Sequence, residues 1–334
     1  MDSMNPQISI IVTAHDRKEF LSEALSSLVK QTCDASEYQV IVVKNFEDPI
    51  CDRIIVENEF ISVNCGGSLA DKILKALTFC DGEIITFLED DDLYANERIM
   101  RILDVFYQHQ EVSFYRNSLI EIGQFGKVTG KNHHPQIRKL LFLKEDQIKS
   151  SLPYLVAYNV DFSTGCMAIR KSILMQNLDL FKSYTSISSK FTDSLYFLFA
   201  LKSMASVFID SSPYTYVRRH NSLSVRIYGD IQESSAFKTG FTSEFLSLYR
   251  YIQKTGDLNH ICSRYVRIKL ARAELEYYIN TNQERIIIFQ AFKLFLKLVR
   301  RPHGRYETFL IISSLMTLAL PNLGRLVFNR ILEF

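Results

Sequence analysis

The sequence predicts an α/β protein: a sheet covered by helices on both faces, followed by an all-helical C-terminal region. Three observations carry this reading. Short β-branched runs alternate with helix-patterned segments through the first half of the chain, the pattern of a parallel sheet buried on both sides. An acidic run, Glu89-Asp90-Asp91-Asp92, directly follows one of those strands. Beyond about Gly229 only helix patterns remain, separated by loop signals at Thr255-Gly256-Asp257, Pro302-His303-Gly304 and Pro321-Asn322.

Taken in order, the run 8–12 is a first strand ending at Thr13-Ala14-His15-Asp16. A helix follows, with Phe20, Leu21, Ala24, Leu25 and Leu28 on its apolar face. Residues 40–43 form a second strand and 54–56 a third. Gly66-Gly67 opens a helix through about Phe79, and Gly82 turns the chain into the strand 84–88. Asn96 is placed to N-cap the helix carrying Ile99, Ile102, Leu103 and Phe106. From 112 to 228 the pattern is mixed. Strand-like runs stand at 166–169, 206–209 and 214–218, with an apolar helix over 194–204. Residues 123–139, with His133-His134, read as a polar loop. In open α/β sheets ligands sit beyond the carboxyl ends of the strands, which selects 13–17, 44–48 and 89–92.

Length and charge narrow the classes. At ~100–200 residues per domain, 334 residues predict two units. The net charge of +2 excludes a chain that binds nucleic acid through bulk charge. The charge is uneven, however: residues 230–334 carry 15 Lys/Arg against 9 Asp/Glu. The six cysteines contain no C-x-x-C pair, which excludes a zinc ribbon, and they read as reduced thiols of a cytoplasmic protein. The N-terminus shows no secretory leader pattern. The longest apolar run, 309–320, is short of the ~20 residues that cross a bilayer. Apolar helix patterns flanked by basic residues over 285–334 instead predict an in-plane contact with the cytoplasmic face of a membrane, with a helical bundle that buries those faces or a homodimer surface as alternatives.

Four carboxylates at a strand end repel one another unless a cation sits among them or water screens them. Hard oxygen ligands suit Mg²⁺ or Mn²⁺, which often bridge a protein carboxylate to a diphosphate. A second acidic position, Asp193, follows about 100 residues later at the start of the apolar helix, where Asp is a favoured N-cap.

On these residues the chain resembles the family 2 glycosyltransferases with the GT-A fold, a Rossmann-like mixed sheet flanked by helices. Ile10-Ile11-Val12-Thr13-Ala14-His15-Asp16-Arg17 is similar to that family's opening strand and turn. Residues 84–92 resemble its fLDxDD segment, with Glu89 in the place of the first Asp. Thr192-Asp193 falls at the place of its E-D motif, and Arg218-Arg219-His220 resembles its basic R-x-H segment. The resemblance implies a donor half over 1–115, an acceptor half over 116–228 and a helical region over 229–334. It also implies an inverting transfer of one sugar from a nucleotide-sugar to a hydroxyl of a glycan or lipid-linked acceptor. Asp91 would hold Mn²⁺ or Mg²⁺ on the diphosphate, with Asp90 and Asp92 in the same cluster or on the sugar and ribose. Asp193 would be the base. Thr13, Ala14, His15, Arg17, Asn45, Lys72 and His220 would contact the donor.

The chain departs from the family after the second strand. Lys44-Asn45-Phe46-Glu47 replaces an acidic turn that reads the nucleotide base, with Asp48 as a substitute carboxylate. The base of the donor therefore stays open. With no Trp in the chain, the Q-x-x-R-W motif of processive polymerases is excluded. Two alternatives remain: transfer to a polyprenyl phosphate, and a non-catalytic module that binds sugar-nucleotides or membrane.

Overall fold

The structure, a computed structural model, describes residues 6–129, 137, 139–219 and 235–281. Nine strands are present among them: β1 Ile8–Thr13, β2 Tyr38–Lys44, β3 Ile61–Asn64, β4 Ile84–Glu89, β5 Leu93–Tyr94, β6 Val112–Ile122, β7 Leu141–Leu143, β8 Met167–Arg170 and β9 Ser206–Arg218. They form one sheet in the order β3-β2-β1-β4-β8-β6-β9-β5, with β7 also paired to β9. The four strands from β3 to β4 are parallel, with Ile10 opposite both Val40 and Thr86. β8 runs antiparallel to its neighbours β4 and β6, while β6 and β9 are parallel to each other. The parallel half and the mixed whole both agree with the sequence-based expectation.

Helices cover both faces. Ile8, Ile10 and Val12 point into a core shared with α1 (Leu21–Val29), α2 (Pro49–Glu57) and α4 (Arg98–Gln108). Ile11, Ile41, Val43, Ile85 and Phe87 point the other way, into a larger core. That core takes in α3 (Leu69–Leu77), α5 (Glu145–Ala157), α6 (Lys171–Gln176), α7 (Leu178–Thr185), α8 (Thr192–Lys202), α9 (Ser235–Thr255) and α10 (His260–Asn280). The split follows the alternation of side chains along each strand. Arg98 is fully buried and stitches the sheet centre together. Its guanidinium donates to Asn117 Oδ1, Thr86 Oγ1 and the Met167 carbonyl at 3.0–3.3 Å and lies over the Tyr94 ring.

Several local expectations are corrected. Residues 54–56 belong to α2 and not to a strand. Asp48 caps that helix by accepting from the Ile50 and Cys51 amides, and Pro49 sits in its first turn. Cys51 and Ile55 are buried while Ile50 and Val56 face solvent, a helical pattern that overrides β-propensity. The true third strand is β3. The helix expected at Gly66-Gly67 begins at Leu69, behind a Ser68–Asp71 capping box. Glu97, not Asn96, occupies the N-cap of α4. The runs 206–209 and 214–218 are one strand, β9. His220, His133, His134 and the segment 285–334 lie outside the described residues. Among the described residues no helix is long and apolar enough to cross a membrane, and all six cysteines are free.

The turn into β4 is tight. A Cβ on Gly82 would lie 2.6 Å from the Ile8 carbonyl carbon and the Ser9 nitrogen. Both are backbone atoms of a central strand and cannot yield. Gly82→Ala should therefore cost about 1–3 kcal/mol, read as a lower denaturant midpoint with unchanged m-value.

Candidate active site

The carboxyl ends of β1, β2 and β4 meet where the sheet's parallel half ends. The acidic run leaves β4 there and divides. Glu89, Asp91 and Asp92 each offer a carboxylate oxygen, and these lie within 4.8 Å of one another. Asp90 turns to the β1 side, where Arg17 donates to it and to Asp91, the latter at 3.2 Å. The His15 amide also donates to Asp90, at 3.4 Å.

Crowding shows in the electrostatics. Burial first, then the adjacent Asp91, pushes Glu89 up to about 7 and Asp90 up to about 6. The same two causes hold Asp92 well above the usual carboxylate range. Three hard oxygen donors at this spacing fit a divalent cation such as Mg²⁺ or Mn²⁺. Asp91, the expected metal ligand, stands in this set with Asp92 and Glu89, while Asp90 is bound to the 13–17 turn.

Other expected donor contacts are placed as follows. Thr13 ends β1, and the Ala14 amide donates to the Val43 carbonyl at 2.9 Å. Asp16, in a left-handed conformation (φ 55°), exchanges hydrogen bonds with Asn45: its amide donates to Asn45 Oδ1 at 3.1 Å, and Asn45 Nδ2 donates back to its carboxylate. This joins the β1 and β2 ends into one rim. Lys44 is held by Asp52 at 2.8 Å and by the Phe46 carbonyl at 2.7 Å. Asp48 caps α2 through Oδ1, which accepts from the Ile50 and Cys51 amides. Lys72 is buried, its ammonium donating to the Cys65 carbonyl, and burial lowers its affinity for the proton.

Asp193 stands in the first turn of α8, a helix buried on every side from Ser194 to Leu201. A helix apolar all round is fixed by packing, so its N-terminus is a rigid mount. Asp193 does not cap the helix, whose N-cap is Phe191. Its Oδ1 accepts from the Ser194 amide at 2.8 Å and its Oδ2 from the Ser163 amide at 3.2 Å. Burial, then the charge of Asp161, raises Asp193 to about 7, against the pull of those amides and of Lys269.

The segment before β8 joins the two acidic positions. Ser163 grips Asp193, and the next residue, Thr164, donates its hydroxyl to Glu89 Oε1 at 2.7 Å. Gly165 follows, where a Cβ would meet Asp92 Oδ2 at 3.4 Å. Sequence reading passed over this turn because only the strand after it has a periodic pattern. Arg218 was noticed only as part of a basic segment. It is buried, with its amide on Asp92 Oδ1 and its Nε on the Asp91 carbonyl, both at 3.0 Å, and Nη2 on Glu23 at 2.6 Å. It therefore props the acidic run from behind.

The model of glycosyl transferase family 2 matches residues 9–178 of this chain. That span holds the acidic run and the 163–165 turn and stops short of Asp193. The poly(ribitol-phosphate) beta-glucosyltransferase of Bacillus spizizenii is 22% identical over 209 residues, which is 55% of this chain and 31% of that protein. The chain spans about a third of the length of the curated relatives it matches. Among solved structures, S. aureus TarS 1-349 in complex with UDP-GlcNAc superposes with a TM-score of 0.58 at 15% identity, over 98% of this chain and 90% of that one. Mannosyltransferase PcManGT from Pyrobaculum calidifontis, in complex with GDP-Man and Mn²⁺, gives 0.53 at 11% identity, over 99% and 86%. Both likenesses concern the fold.

Proposed function

This chain belongs to glycosyl transferase family 2, and from that premise we propose that it moves a single sugar, with inversion, from a nucleotide-sugar donor to a hydroxyl of a glycan or lipid-linked acceptor. The observation that carries the reading is the 163–165 turn, which holds the Asp193 carboxylate at one end and the Glu89/Asp91/Asp92 set at the other. That arrangement would set a proton acceptor beside a metal-bound diphosphate. Residues 1–115 would bind the donor, 116–228 would shape the acceptor side, and 229–334 would form a helical region. The name of the glucosyltransferase relative supports a polyol-phosphate polymer as one form of the acceptor.

In this reading Asp193 takes the acceptor's hydroxyl proton as the acceptor oxygen bonds to the anomeric carbon. The bond from that carbon to the phosphate oxygen breaks, and its electron pair leaves with the nucleoside diphosphate. Glu89, Asp91 and Asp92 would hold the divalent cation, which neutralises the charge developing on the leaving diphosphate. Arg17, bound to Asp90 and Asp91, lies on the same side and can add a second positive charge.

The test is a thermal-shift panel of UDP, GDP, dTDP, ADP and CDP, each with and without Mn²⁺ or Mg²⁺. A ligand at 100 times its Kd adds about 2.7 kcal/mol to the folded state. The reading expects one nucleotide to raise Tm only when metal is present. No shift with any pair overturns it. A shift with no release of nucleoside diphosphate from the matching sugar-nucleotide would favour the non-catalytic module.

A further inference from the structure

The C-terminal helical pair reaches into the acceptor side of the site through one buried charge. Lys269, on α10, places its ammonium 2.7 Å from Asp161 Oδ2, and both side chains are more than nine-tenths buried. The Tyr265 hydroxyl donates to the same carboxylate oxygen and meets the Tyr249 hydroxyl of α9 at 3.0 Å. The Lys269 ammonium also lies over the rings of Phe245 and Tyr249. α10 makes a second tie next door, where Arg272 donates to Asn159 Oδ1 at 2.9 Å.

The segment so gripped is unusual. Asn159 and Ser163 both adopt left-handed conformations, φ 48° and 64°. Each is strained for a non-glycine residue and persists only where the surroundings over-determine it. Ser163 is the residue whose amide holds Asp193 Oδ2, and Ser194, whose amide holds Oδ1, turns its hydroxyl to Asp161 at 3.5 Å. Both grips on Asp193 therefore trace back to Asp161, and Asp161 is held by Lys269. An ion pair this buried adds little net stability over a well-packed apolar pair, so its persistence asks for another role.

We propose that Lys269 is a positioning residue: through Asp161 it locks the 159–163 segment in the geometry that aims Asp193 at the acceptor. The proposal rests on the reading of Asp193 as the base. It also makes α10, which lies beyond the family-matched span, a working part of the catalytic site.

The full-length protein is assayed for release of nucleoside diphosphate from whichever of UDP-glucose, UDP-GlcNAc or GDP-mannose it uses, with metal present. Lys269→Met should lower kcat about 100-fold, the scale of a misplaced catalytic group, while donor KM stays within twofold. Lys269→Arg, which keeps the charge, should recover kcat to within about tenfold of the parent. Unchanged kcat in Lys269→Met, or no recovery in a folded Lys269→Arg protein, overturns the proposal. Should Lys269→Met not fold, Asp161→Leu combined with Lys269→Met removes both charges at once. That pair should fold and show the same kcat loss, and full activity in it is equally fatal. Asp193→Asn separates the two claims. If it is fully active, the base assignment itself fails. If it is inactive while the Lys269 variants turn over normally, only the positioning role falls.

Discussion

Asp193→Asn leaves metal-dependent nucleotide binding intact and lowers turnover by a factor on the order of 10²–10⁴, the usual contribution of a positioned general base. The amide is isosteric, but its single oxygen can accept from only one of the Ser163 and Ser194 amides while its Nδ2 faces the other, so the nucleotide panel also checks that the site keeps its shape. What is lost is proton affinity. The parent enzyme should also show an acidic limb in its kcat profile. Asp193 must be ionised to act, and burial together with Asp161 raises it to about 7, so kcat should rise with pH through that value and level off above about 8. The charged groups facing it are Asp161, Lys269 and Glu89, and the first of these dominates. Unaltered turnover in the Asn variant, or a kcat flat from pH 5 to 8, would remove Asp193 from the chemistry.

Asp91→Asn should do two opposite things: abolish metal-dependent nucleotide binding and make the metal-free protein more stable. Asp91 is the neighbouring charge that raises Glu89, Asp90 and Asp92 alike. A carboxylate raised in the folded state binds more protons there than in the unfolded chain. Stability therefore falls as pH climbs from the ordinary carboxylate value, near 4, to about 7. Removing Asp91 relieves the repulsion where it is fully developed, above pH 7. A relief on the order of 1 kcal/mol corresponds to roughly 2–4 °C in Tm for a chain of this size. Arg17 is partly exposed and keeps Asp90, so its loss of one partner costs little. Scanning calorimetry at pH 8 without metal checks the gain, and the nucleotide panel with metal checks the loss. A variant with lower Tm and normal metal-dependent binding would mean that the acidic run is a structural feature.

Much of this site was legible in the sequence because its parts sit at strand ends. The strands at 8–12, 40–43 and 84–88 are dense β-branched runs, and the residues just beyond them were bound to converge. The acidic run was legible for the same reason. Ile54-Ile55-Val56 was misread because three β-branched residues outweighed a stronger signal, the Asp48-Pro49 cap six residues earlier. Asp161 and Lys269 carried no signal at all. They are more than 100 residues apart, each looks like an ordinary surface charge, and only the docking of α10 against the sheet domain buries them together. Glu89 was legible as a member of the run but not as a partner of Asp91 and Asp92 in one carboxylate cluster, since which carboxylates turn inward depends on Arg17 and Arg218, not on spacing.

The strand order carries a consequence for how the chain is made. β8 lies between β4 and β6, yet it is synthesised after both. At roughly 5–20 residues per second, several seconds pass between completion of β4 and emergence of its partner. During that interval β4 and β6 present unpaired, apolar strand edges of the kind that recruit other chains. A nascent or truncated product ending near residue 160 should therefore be a strong chaperone client, less so once residues 167–170 bridge β4 and β6, and no longer one when β9 has covered the other edge of β6.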